Sequence, residues 1–250
     1  MKISDLVSLR RPVLRFFPPA CAGCDGFAAS QGAFCSVCQM AAMPIYPPYC
    51  ERCRVPMEQF GDSRTNSASL CSRCHQLEPC YERVWAHWEY GGAVADAIRR
   101  IKYGGDLPAL RALCRGAREW FCTTLEELPR DAPLIPVPAH RSELRRRGFH
   151  VPSLALRLFG KRLESSRVDR VLRKKRPTSR QASLPFAARR KNVESAFATT
   201  PSSQGGGPAI LFDDVLTTGA TVDAASRALC EAGFGPVYVL VLARAPRPNF

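Results

Sequence analysis

The chain has 250 residues, 46% of them hydrophobic, and a formal net charge of +14. That length and apolar content suit one large folded domain and one small one. No apolar run approaches the roughly 20 residues of a membrane span, and residues 1–19 lack the clean apolar core and small-residue cleavage site of a signal peptide.

Ile3 to Phe17 carries Arg10, Arg11 and Arg15 among apolar residues, which predicts a short amphipathic helix. Four Cys-x-x-Cys pairs follow: Cys21/Cys24, Cys35/Cys38, Cys50/Cys53 and Cys71/Cys74. Two thiolates at this spacing reach one tetrahedral ion, and two pairs close a structural site. Four pairs therefore predict two structural zinc ions. Sequential pairing puts Cys21, Cys24, Cys35 and Cys38 on one ion and Cys50, Cys53, Cys71 and Cys74 on the other; spacing leaves an interleaved pairing open. Disulfides would suit a secreted chain, which nothing signals, and four arrayed pairs exceed what redox chemistry needs. Pro44 to Tyr49 reads as a stiff link between the two knuckles, and residues 61–69 as the polar tip of the second. With so little apolar content, this module, residues 1–80, needs its metals to fold. Cys114, Cys122 and Cys230 fall in helical patterns, where packing is the default reading.

Residues 81–250 read as an α/β domain. Trp85 to Tyr90 is a predicted strand. Ala93 to Ile101 is a helix with Val94, Ala97, Ile98 and Ile101 inward, ended by Lys102-Tyr103-Gly104-Gly105-Asp106. Leu107 to Leu125 reads as one helix. Leu134 to Val137 is a short buried strand, and Pro136 and Pro138 put it at an edge or a bend. Arg141 to Arg147 makes a turn or two of helix, Ser153 to Leu163 an amphipathic helix, Val168 to Arg180 a loop after a short strand, and Ser183 to Val193 another helix. Residues 141–191 hold 17 Lys and Arg against 3 Asp and Glu, so the whole net charge lies there. A single-sign concentration of that kind suits a polyanion, either nucleic acid or pyrophosphate; the rival reading is a solvated basic face.

The chain is organised around Pro208 to Val222. An apolar strand, Ala209 to Phe212, is followed by Asp213 and Asp214, then by the loop Thr217-Thr218-Gly219-Ala220-Thr221. A helix follows with Val222, Ala225, Leu229 and Ala232 on one face. Gly233 stops it, and Val237 to Ala243 is the next strand. Ligands bind such strand–loop–helix units at the carboxyl ends of parallel strands. Backbone N–H groups running into a helix N-terminus cradle a phosphate, the threonine hydroxyls add donors, and the two carboxylates can accept bonds from vicinal ribose hydroxyls. An ordinary capped turn is the alternative, but two acids closing a buried strand are costly without a ligand.

This stretch resembles the PRPP (phosphoribosyl pyrophosphate) loop of type I phosphoribosyltransferases. Taken with the four cysteine pairs, His87-x-x-Tyr90-Gly91, Lys102-Tyr103-x-Gly105-Asp106, Pro136-Val137-Pro138, Arg147-Gly148-Phe149, Thr178-x-x-Gln181-x-x-Leu184 and Arg190-x-Asn192-Val193, nearly the whole chain is similar to the ComF family. The resemblance implies a type I phosphoribosyltransferase-like parallel sheet with helices on both faces, preceded by the double zinc ribbon, in a cytoplasmic protein. It implies PRPP with magnesium (Mg2+) as candidate ligands and, by way of the competence relatives, a role in uptake of transforming single-stranded DNA alongside a competence-machinery partner. After Arg147-Gly148-Phe149 the family usually continues Asn-Gln, whereas His150-Val151 stand here.

Two functions follow. As a phosphoribosyltransferase, the chain would hold ribose and Mg2+ on Asp213 and Asp214 and the 5-phosphate on Thr217, Thr218, Gly219, Ala220 and Thr221. Lys102, Arg147 and the Arg173–Arg180 loop would stabilise the pyrophosphate leaving group. As a binding protein, it would sense PRPP or a nucleotide, or grip single-stranded DNA through residues 141–191. Only Phe149, Phe159 and Phe186 are aromatic in that segment, so such binding would be mostly electrostatic.

Overall fold

The structure is a computed structural model that describes residues 19–24, 26–28, 32–57, 70–160, 171–177, 196–200 and 205–246. The helices expected over 3–17 and 183–193 and the ribbon tip at 61–69 lie outside these residues. In chain order the elements are α1 (Ser36–Met40), α2 (Ser72–Leu77), β1 (Arg83–Glu89), α3 (Gly92–Arg99), a π-helical turn (Arg100–Gly104), α4 (Leu107–Gly116), α5 (Arg118–Glu126), β2 (Leu134–Pro136), α6 (Arg141–Arg147), α7 (Val151–Phe159), β3 (Leu172–Lys174), β4 (Phe197–Thr199), β5 (Ala209–Leu216), α8 (Ala220–Glu231) and β6 (Val237–Arg244).

The main sheet is parallel throughout, in the order β1-β6-β5-β2. The near-continuous apolar runs of β5 and β6 suit strands covered on both faces, and these two take the centre. β2, which contains Pro136, lies at the end of the strand order, where a missing N–H costs least. β3 and β4 pair antiparallel in a separate ribbon.

Alternate side chains of the central strands feed two cores. On one face Ile210, Phe212, Leu240 and Leu242 pack with α3, α4, α5 and α7. The rings of Phe121 and Phe159 stack there at 4.0 Å, and Phe212 meets both edge-on. On the other face Leu211, Val239 and Val241 pack with Val222, Ala225 and Leu229 of α8 and with Leu172 and Phe197 of the small ribbon. Each zinc knuckle joins a different face: Cys21, Ala22, Ala33 and Phe34 join the first core, and Cys50, Cys53, Val55, Cys71 and Cys74 the second. Gly116 of α4 is needed for this fit, because a Cβ there would sit 2.6 Å from the Ala33 Cβ. The link between the knuckles crosses the outer edge of β1, where Ile45 donates to the His87 carbonyl at 3.1 Å and Glu89 donates to that of Met43 at 2.8 Å. This covers a strand edge that would otherwise offer unpaired backbone groups.

The elements depart from the sequence reading in four places. β5 runs on to Leu216, so Asp213 and Asp214 stand inside the strand rather than after it; pairing with β6 continues through Leu216 opposite Arg244. The helix at Gly92 does not stop before Lys102 but widens into the π turn and ends at Gly105, which has φ +70°. The helix expected over Leu107 to Leu125 divides at Ala117, whose ψ of 0° breaks the repeat. α7 starts at Val151, two residues earlier than expected, because Pro152 is well placed in a first helical turn.

Candidate phosphate loop and zinc centres

Each knuckle folds its backbone around sulfur. Cys21 donates its N–H to the Gly26 carbonyl and Cys50 to that of Val55, closing matching turns. The Cys35 N–H points at Cys21 Sγ and the Cys71 N–H at Cys50 Sγ; Cys38 and Cys74 donate to the sulfurs of Cys35 and Cys71. Four sulfurs gather in each cluster, Cys21, Cys24, Cys35 and Cys38 in one and Cys50, Cys53, Cys71 and Cys74 in the other, all within 4.8 Å of one another. The pairing is therefore sequential. Cys24 and Cys35 Sγ are 3.8 Å apart, and Cys53 and Cys71 Sγ 3.7 Å. A tetrahedral ion with Zn–S bonds of about 2.3 Å has S–S edges of about 3.8 Å, so both donor sets fit zinc.

The second candidate site lies at the carboxyl end of β5. Asp214 is 5% exposed, and its Oδ1 takes the Lys102 ammonium at 2.7 Å. The π turn delivers Lys102 to that point; such insertions recur at functional sites. Asp213 Oδ1 accepts the Asp214 N–H at 2.9 Å. Burial, helped by the Asp214 charge, raises the Asp213 carboxyl to about 8, with Lys102 opposing. Asp213 is thus held towards its protonated form, while Asp214 is paired to the ammonium.

Beyond Leu216 the chain turns at Thr217, Thr218 and Gly219 into α8. Gly219 is the N-cap at φ +79°, a conformation open to glycine and resisted by β-branched side chains. Thr218 Oγ1 accepts the Ala220 N–H, and Thr221 lies in the first turn of α8, whose N–H groups have no intrahelical acceptor. The loop faces the second knuckle across a cleft of about 30 Å3 lined by Arg73, Leu77, Tyr81, Thr218, Gly219 and Asp223. Tyr81 is 5% exposed, and its burial raises the hydroxyl well above its ordinary range.

Other residues of the expected motifs have different work. Arg100 pairs with Asp106 at 2.7 Å, and Asp106 Oδ1 caps α4 through the Ala109 N–H, so this acid is structural. His150 bonds through Nε2 with the Val137 carbonyl at 3.0 Å and through Nδ1 with Ser153 Oγ at 2.7 Å; it ties α7 to the end of β2. Arg147 closes α6, and its Nε is buried with no hydrogen-bond partner among the described residues. Lys174 points at Glu143, 3.8 Å away, and its side chain is only 7% exposed; Arg173, Lys175 and Arg176 face solvent.

Sequence reasoning missed Arg73, Tyr81 and Arg244. Arg73 was hidden inside a Cys-x-x-Cys pair. Arg244 had a usable signal, a charge closing an apolar strand, which is the same cue that marks Asp213 and Asp214.

The double zinc ribbon domain matches residues 13–75 of this chain. Competence protein F of Haemophilus influenzae is 26% identical over 240 residues, covering 93% of this chain and 100% of that protein. DNA utilization protein YhgH of Escherichia coli is 29% identical over 224 residues, 87% of this chain and 92% of that one, and its Salmonella typhi counterpart is 26% identical over 220 residues. Among the described residues no helix is long and apolar enough to cross a membrane.

Proposed function

We propose, from the premise that this chain belongs to the ComF family, an assignment that the double zinc ribbon and the competence and DNA-utilization relatives support, that it binds PRPP with Mg2+ on Asp213 to Thr221 and transfers the phosphoribosyl group. The observation that carries the reading is the adjacent acid pair on a central strand, Asp214 buried with Lys102 upon it, one short loop before a helix N-terminus. In this reading the first-turn N–H groups and the Thr217, Thr218 and Thr221 hydroxyls take the 5-phosphate, beside the favourable end of the helix dipole. Asp213 and Asp214 accept the ribose hydroxyls. Two adjacent carboxylates are hard oxygen donors of the kind Mg2+ prefers, and when bound the ion would offset charge on the pyrophosphate. Transfer breaks the bond from ribose C1 to the pyrophosphate oxygen, whose electron pair leaves with pyrophosphate, while an acceptor lone pair forms the new bond to C1. Lys102 and Arg147 are the cations assigned to the leaving group, and the unpartnered Nε of Arg147 supports that role.

The test is calorimetric titration with PRPP and Mg2+, followed by pyrophosphate release across a panel of bases and amines. Binding with turnover of any acceptor supports the transferase; absence of PRPP binding overturns the site. Binding with a flat panel favours a second reading, a non-catalytic protein that handles single-stranded DNA in DNA uptake. The names of the relatives and the exposed Arg141, Arg145, Arg146, Arg173, Lys175 and Arg176 favour that reading.

A further inference from the structure

Arg244 ends β6 and is 4% exposed. A guanidinium so buried needs its donors filled and its charge offset. Its donors go to four carbonyls. Nε bonds to the Cys53 carbonyl at 3.0 Å, and Nη1 to those of Leu216 at 3.1 Å, Thr217 and Ala245. Nη2 lies 4.0 Å from Cys53 Sγ. Among the described residues no carboxylate pairs with it, and the second cysteine cluster stands beside it through Cys53 Sγ. Four thiolates around one divalent ion keep a net charge of −2, which suits a neighbouring buried cation.

The same side chain therefore holds both a zinc ligand and the two residues, Leu216 and Thr217, from which the phosphate loop departs. We propose that Arg244 is a positioning residue through which the metal-loaded second knuckle fixes the ligand loop 217–221, so that loop order depends on the second zinc ion and not on the first. The proposal rests on the reading of 217–221 as the ligand loop. The first cluster supplies an internal control: its sulfurs belong to the opposite face of the sheet, where Arg115 of α4 holds the knuckle backbone through the Gly32 carbonyl at 2.9 Å.

Hydrogen exchange of the full chain, loaded with two zinc ions, tests the coupling without any ligand. Arg244→Met keeps much of the side chain's length and removes the charge and donors. Amides at 216–221 should then exchange faster by about ten- to hundredfold, the scale expected for losing hydrogen bonds to a charged group. Two bound zinc ions and unchanged exchange in α4 would show that the variant is folded. If it does not fold, Arg244→Lys, which keeps the charge and part of the donor set, should show a smaller rise at the same amides. With Co2+ in place of zinc, adding PRPP and Mg2+ should shift the thiolate-to-cobalt absorption of wild type, with the shift lost in Arg244→Met and partly restored in Arg244→Lys. A folded Arg244→Met or Arg244→Lys whose 216–221 amides exchange as wild type overturns the proposal. If wild type binds no PRPP, the ligand reading fails instead, and the exchange result still decides the coupling.

Discussion

The raised Asp213 carboxyl makes a quantitative prediction about ligand binding. With a value of about 8, roughly nine in ten molecules carry the proton at pH 7 and about one in ten at pH 9. If ribose hydroxyls and Mg2+ bind the ionised carboxylate, each binding event at pH 7 releases about 0.9 proton. Release should fall to about 0.1 at pH 9, and apparent affinity should rise about tenfold over the same range. Calorimetry with PRPP already saturated with Mg2+, repeated in buffers of different ionisation enthalpy, reads the proton count from the slope of observed against buffer enthalpy. Asp213→Asn should abolish the release. A slope near zero for wild type at pH 7, or the same slope in Asp213→Asn, would refute the argument. Stability provides an independent check, with the sign fixed by linkage. The folded value lies above the unfolded one, so the contribution is full below about pH 4 and is lost as pH rises towards about 8. Asp213→Asn should therefore gain on wild type across that window and show no further gain above it.

Gly219→Val should abolish PRPP binding while the sheet stays folded, because it forces a β-branched residue to φ +79° at a cost of about 1–3 kcal/mol; Gly219→Asn should do less harm, and wild-type affinity in the valine variant would count against the loop. Metal analysis should find two zinc ions per chain and one in Cys53→Ser, with disulfides and no zinc as the contrary result. Single-stranded DNA bound through Arg173, Lys175 and Arg176 should show a logarithmic salt slope of about −2 from these contacts, or about a twentyfold loss from 50 to 200 mM salt. Reversing those three to Glu should flatten the slope, while reversing Lys174 would break its contact with Glu143 instead. Burial lowers His87 to about 4, so its contribution is present above about pH 6.5 and lost as pH falls towards 4; His87→Phe, which can keep the ring contact with Trp120, should reduce the loss of unfolding free energy between those pH values by about 3 kcal/mol at most.

Much of this arrangement was legible because a few patterns admit few alternatives. Four Cys-x-x-Cys pairs could hardly be anything but two closed metal sites, though only the fold decided which pairs meet. Two acids after an apolar run, then a threonine-rich turn with glycine, gave away the end of a parallel strand. What stayed hidden depends on contacts distant in sequence. The length of β5 is set by its partner β6, so local hydrophobicity ended it too early. The break at Ala117 goes with the seat that Gly116 offers to Ala33 of the first knuckle. The π turn shows in no periodicity, because it shifts one helical segment just enough to bring Lys102 onto Asp214 across 112 positions of chain.

The order of the strands also has a consequence for biosynthesis. β6, the last of the described strands, lies between β1 and β5 and pairs with both. A nascent chain that has exposed everything up to Phe234 still lacks the middle of its sheet. Its cysteine clusters can bind metal early, since their ligands are complete by Cys74, but the surfaces on which both knuckles rest include residues of β6. Full docking of the amino-terminal module is therefore expected only once β6 has left the ribosome, and a chain truncated before Val237 would retain metal clusters over an incomplete sheet.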